Sequence, residues 1–128
     1  MLARHPGHAA RAPLTAQVGA SRPIGSFQAV EHRLADLHTA VETSRALALA
    51  AAAAGAPPEP AAAARSACSQ AFAYVAGEMI QLHGGIGITW EHEARLFFKR
   101  AHGCGQSFGA PGAHRERLAA MLGCAPPA

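Results

Sequence analysis

Residues 55–60 read Gly-Ala-Pro-Pro-Glu-Pro, and on each side of this break runs a long stretch whose apolar residues return every third or fourth position. Glycine followed by prolines ends one helix and leaves Pro60 suited to the first turn of the next. Upstream, Phe27, Val30, Leu34, Leu37, Val41 and then Leu47 or Ala48 mark one face of a long amphipathic helix, with Ser26 placed to cap it and Gly55 to end it. Its opposite face carries Glu31, Arg33, Asp36, Glu42 and Arg45, a solvated surface. Downstream, across residues 61–82, Cys68, Phe72, Val75, Met79 and Leu82 follow at spacings of four, three, four and three. Two such helices on so short a link pack antiparallel.

A chain of 128 residues is normally one domain with one modest core. Half of it is hydrophobic, but much of that is alanine and only 5% is aromatic, so the core must come from close approach of small-faced helices. A third helix is expected to start near Thr89 as N-cap, with Glu91 and Glu93 in its first turn and Lys99, Arg100 and His102 at its far end before Gly103. Leu96, Phe97 and Phe98 supply its apolar content, and Trp90 reads as a packing residue at its start. The glycine-rich residues 102–112 read as a surface loop, and a fourth helix over about residues 113–122 offers Leu118, Met121 and Leu122 before Gly123. The expected fold is all-α: an antiparallel bundle of about four helices over residues 23–128, preceded by an irregular, basic segment over residues 1–22.

The net charge of +3 is carried by that segment, where Arg4, Arg11 and Arg22 stand without an acid. Beyond it acids and bases balance, so no nucleic-acid binding by the core is expected. Cys68, Cys104 and Cys124 show no Cys-x-x-Cys spacing, which argues against a disulfide framework or a zinc knuckle and suits a reducing cytoplasm. The alanine tract before Pro57 is too short and too weakly apolar for a membrane span. His32 with Asp36, and His38 with Glu42, share helix faces but lack a third ligand, so no metal is expected.

The most particular residue order is Gln81-Leu-His-Gly-Gly-Ile-Gly-Ile-Thr-Trp-Glu-His. Gly84, Gly85 and Gly87 stand between helices rather than after a strand, which rules out a Rossmann dinucleotide loop. From the residues alone two readings stand: a connection that lets two helices cross closely, or a bare backbone that a ligand approaches.

This word, together with Arg22-Pro-Ile-Gly-Ser-Phe-Gln-Ala-Val-Glu-His-Arg-Leu-Ala-Asp36 upstream, resembles the C-terminal helical domain of the acyl-CoA dehydrogenases, flavoproteins that place a double bond between the α and β carbons of an acyl thioester. The resemblance implies that Gln81, Leu82, His83, Gly84 and Gly85, with Gln28 from the first word, meet the adenosine side of an FAD held mainly by a neighbouring subunit. Lys99 and Arg100 read as a solvated or partner-facing pair. Family members usually carry Arg-x-Gln-Phe-Gly before the first word. Here the nearest match is Thr15-Ala-Gln-Val-Gly19, without the arginine or the phenylalanine. The carboxylate that often removes the α proton would fall near Gly109, and no Asp or Glu occurs between Glu93 and Glu116, so no catalytic residue is assigned.

The family's N-terminal helical and β domains are not in this stretch. The chain is therefore expected to be a stand-alone or truncated C-terminal domain, inactive alone, contributing to FAD binding and oligomerisation for acyl-CoA dehydrogenation. Its partners would be copies of itself or a chain supplying the missing domains. The alternative is a non-catalytic helical interaction module that has lost flavin binding.

Overall fold

The computed structural model describes residues 17–18, 22–107 and 109–124. Gln17–Val18 (β1) pairs antiparallel with Arg22–Pro23 (β2), Gln17 opposite Pro23 and Val18 opposite Arg22. Part of the segment expected to be irregular is therefore a minimal two-stranded ladder. A 3-10 turn, Ile24–Ser26, leads into the first long helix, Gln28–Ala53 (α1). Next come Pro58–His83 (α2), the single-turn Gly85–Ile88 (α3), Ala94–Gln106 (α4) and Pro111–Met121 (α5). The fold is an all-α antiparallel bundle of four principal helices, with α2 against α1, α4 and α5.

The α1–α2 pair follows the sequence pattern closely. On α1 Leu37 is buried and Val30, Leu34, Val41 and Leu47 are half-buried, whereas Ala48 is exposed, so Leu47 and not Ala48 extends the stripe. On α2 Val75 and Met79 are buried, and Cys68, Phe72 and Leu82 half-buried. Most of the remaining core is alanine: Ala51, Ala62, Ala64, Ala71, Ala76, Ala94 and Ala101. Small side chains let helix axes come close, and Met79, fully buried, supplies the adaptable bulk between them.

Two cross-helix contacts fix the register. Arg33 Nη1 donates to Glu78 Oε2 at 3.3 Å, and the Cys68 thiol donates to the Ser44 carbonyl at 3.5 Å. Both set α1 and α2 antiparallel, so Gln28 at the start of α1 lies at the same end of the bundle as Gln81 and His83 at the end of α2. The turn between them closes with the Ala56 N–H on the Ala51 carbonyl at 2.7 Å, after Gly55 at φ 76°.

Four local expectations are corrected. The Ser26 hydroxyl donates to the Pro23 carbonyl at 2.6 Å, and Phe27, 40% exposed, stands at the N-cap of α1. Thr89 does not open a helix: it closes α3, its hydroxyl on the Ile86 carbonyl at 2.8 Å, and α4 begins five residues later. Glu91 and Glu93 therefore precede α4 instead of lining its first turn. The expected loop over residues 102–112 is helical through Gln106, because α4 runs on past Gly103 and Gly105. What carries it is Arg65 of α2, whose Nη2 donates to the carbonyls of Cys104 and Ser107. A cation there satisfies carbonyls left open at a helix C-terminus and suits the negative end of the dipole.

Candidate functional site

Gly84 ends α2 at φ 59°, ψ −142°, a conformation side chains rarely adopt, and its N–H reaches the Gln81 carbonyl at 3.2 Å. Gly87 is buried where a Cβ would stand 2.9 Å from the Ile80 carbonyl oxygen and 3.0 Å from His83 Cβ. These two glycines are required by the fold. Gly85 differs: its φ is not positive, it is exposed, and a Cβ there would meet nothing within 4 Å.

Around this turn the named residues divide. Gln28, Gln81, Gly84 and Gly85 are exposed at one end of the bundle, where the α1–α2 register brings the two sequence words together. Leu82 and His83 are half-buried. The His83 ring is already engaged: its Nδ1 lies 2.7 Å from the Met79 carbonyl, an acceptor only, so Nδ1 carries the proton. Its ring packs on His92, centroids 4.2 Å apart at 53°.

Three participants were not legible in the sequence. His92 Nδ1 accepts from the Ala94 N–H at 3.1 Å, giving α4 a side-chain acceptor that Glu93 at the N-cap does not provide. Arg95 stacks on Trp90, its Cζ 3.7 Å from the ring centroid, and donates to the Trp90 carbonyl at 3.4 Å. Lys99 Nζ lies 5.2 Å from the same ring. Trp90 is thus not packed into the core: it is 80% exposed, and Ile86, Ile88 and Leu96 are also largely exposed. The third is Arg65 at the far end of α4. Arg95 and Arg65 carried neither a period nor a motif, and His92 closed the second sequence word without an assigned role.

The remaining chemistry is sparse. No group of three or more metal-ligating side chains occurs among the described residues, and no helix there is long and apolar enough to cross a membrane. A groove of about 710 Å³ between α1, α2 and α5 is lined by Ser44, Ser66, Gln70, Tyr74, Arg115 and Leu118 with several alanines, and includes neither Gln28 nor any of residues 81–85. Gly109, at φ 99°, lies in the short connection between α4 and α5.

Residues 8–123 match the family model for the acyl-CoA dehydrogenase C-terminal domain. Acyl-CoA dehydrogenase IpdE2 of Mycolicibacterium smegmatis is 47% identical over 101 residues, which cover 79% of this chain and 32% of that protein. Acyl-CoA dehydrogenase FadE34 of Mycobacterium tuberculosis is 40% identical over 106 residues, 78% of this chain and 15% of its own length. The chain thus spans under a third of the curated relatives it matches. Among solved structures, a variant of the Tcur3481–Tcur3483 steroid ACAD superposes with a TM-score of 0.82 at 28% identity, over 92% of this chain and 34% of that one. Sequence and fold agree: the chain belongs to the acyl-CoA dehydrogenase family and carries its C-terminal helical domain.

Proposed function

We propose that this chain is the C-terminal unit of an acyl-CoA dehydrogenase-like flavoprotein, presenting Gln28, Gln81 and the backbone of Gly84 and Gly85 to the adenosine side of FAD. Most of the flavin, and the acyl-CoA thioester, are held by domains that a partner chain or a second copy supplies. The observation that supports this reading is Gly85. It is exposed and needs no glycine for its own conformation or packing, whereas Gly84 and Gly87 do. A bare backbone with no internal cause suits close approach by a group from outside. Two exposed primary amides at the same end of the bundle add donors and acceptors of the kind an adenosine ribose or pyrophosphate uses. When bound, the flavin supplies the two-electron oxidation. This chain's residues bind and orient its nucleotide end and leave proton abstraction to a carboxylate elsewhere.

The steroid ACAD likeness suggests a polycyclic acyl thioester as the substrate class. A second reading, an interaction module without flavin, is favoured by one feature: the segment Thr15-Ala-Gln-Val-Gly19 lacks the arginine and phenylalanine of the family pattern. Size-exclusion chromatography with absorbance at protein and flavin wavelengths, with and without FAD, separates the two. The first reading expects flavin to co-elute with the chain or its partner complex, and Gly85→Val to remove it. A colourless oligomer, or a Gly85→Val complex that keeps its flavin affinity, would overturn it.

A further inference from the structure

We propose that His83 and His92 form a clasp that fixes the glycine turn, and that His92 is a positioning residue for its exposed backbone; only the second half rests on the flavin reading above. Between the end of α2 and the start of α4 the chain passes three glycines, which by themselves leave the backbone wide freedom. Ile86 and Ile88, 66% and 71% exposed, do little to restrain it, and Arg95 holds Trp90 only against α4. The two histidines do restrain it. His83 Nδ1 donates to the Met79 carbonyl at 2.7 Å, tying one ring to the last turn of α2. His92 Nδ1 accepts from the Ala94 N–H at 3.1 Å, tying the other to the first residue of α4. With the rings 4.2 Å apart, the helix ends on both sides of the turn are linked through side chains.

The geometry also assigns protons. The Met79 carbonyl requires a proton on His83 Nδ1, and the Ala94 amide requires a bare His92 Nδ1. The rings therefore play opposite roles, one donor and one acceptor, and a generic aromatic would keep the ring contact without the hydrogen bond. The nearby charged groups have other partners or none that compete: Arg95 is on Trp90, Glu78 is with Arg33, and neither Glu91 nor Glu93 makes an ion pair among the described residues. A Cβ on Gly87 would stand 3.0 Å from His83 Cβ, so α3 packs closely on the last turn of α2 at the residue that carries the first ring.

The test compares three variants of the full chain by amide hydrogen exchange, without flavin. His92→Ala removes ring and acceptor, His92→Asn keeps an acceptor, and His92→Phe keeps a ring. His92→Ala should speed exchange about tenfold at Ala94 and at Gly87, whose N–H is held by the Gly84 carbonyl. His92→Asn should restore protection at Ala94 alone, and His92→Phe at Gly87 alone. Wild-type exchange at Gly87 in His92→Ala, or in His92→Asn should the alanine variant not fold, would overturn the clasp. FAD titration is read separately: a severalfold loss of affinity in His92→Ala supports the positioning role. Faster exchange with unchanged FAD affinity would overturn that role and leave the clasp standing. A wild-type chain or complex that binds no FAD would defeat the flavin reading, while the exchange data still decide the clasp.

Discussion

The α1–α2 interface and the turn over residues 84–93 are built from opposite materials. The interface is long and repetitive, and its alanines are nearly interchangeable small contacts around a few larger side chains such as Leu37, Val75 and Met79. In the turn, by contrast, single residues carry separate roles. Gly84 supplies a backbone angle, Gly87 a close approach, Thr89 the end of α3 and His92 the start of α4. A periodic interface spreads its free energy over many similar contacts. An aperiodic turn concentrates its conformation in a few groups that have no substitutes nearby.

The sharpest way to break this contrast is at its one exception, Met79, the single large side chain of the interface with no solvent exposure. Met79→Ala should cost about 2–5 kcal/mol by leaving a cavity at a position with no solvent exposure. Chemical denaturation should show a lowered midpoint with an unchanged slope. A loss below about 1 kcal/mol would mean that the helices collapse onto the gap and that the interface is more plastic than its packing implies.

Next comes Arg65, which joins α2 to the end of α4. Arg65→Met keeps the apolar stem and removes the donor to two carbonyls, and should cost about 1.5–3 kcal/mol. Exchange should rise first at the C-terminal end of α4. Arg65→Lys is expected to recover only part of the loss, since one ammonium does not reproduce the planar reach of a guanidinium.

Within the turn, Gly87→Ala and Gly85→Ala form a matched pair. The first places a Cβ against backbone at 2.9 Å, where nothing flexible can yield, and should cost about 1–3 kcal/mol. The second enters open space and should leave thermal stability unchanged or slightly raised. Equal losses at both positions would erase the distinction between a glycine the fold needs and one it does not.

The same contrast explains what was legible in the sequence. The α1–α2 pair and its antiparallel arrangement follow from spacing because a 3.6-residue period repeats over six or seven turns and errors average out. The stretch from Gly84 to Ala94 is too short for a period to form. Thr89 has the chemistry of an N-cap, yet the one-turn helix before it exposes a carbonyl at Ile86 that its hydroxyl meets first. The helix-breaking reading of Gly103 and Gly105 fails for a related reason: Arg65, about forty residues upstream, stabilises the end of α4 from outside it. Of the candidate site, periodicity and spacing offered the residue types, and only the family resemblance grouped Gln28 with residues 81–85. The antiparallel register seen in the Arg33–Glu78 and Ser44–Cys68 contacts puts Gln28 at the same end as Gln81.

That ion pair also carries the smallest expected effect. Arg33 is more than half exposed and Glu78 about one-fifth, so solvent screens much of their attraction, and a double-mutant cycle with Ala should give a coupling of about 0.2–1 kcal/mol that shrinks in high salt. Its part is to select a register, not to hold the helices together. The buried residues of α2 are mostly alanine and serine, and a shift by one turn would exchange one small residue for another there at modest cost. A charged pair that meets in one register and misses in the next supplies the discrimination that such a surface lacks. The double variant should therefore keep its melting temperature within a few degrees while amide exchange along α1 becomes faster and less uniform. Uniform, wild-type exchange would show that Leu37, Val75 and Met79 fix the register by shape alone.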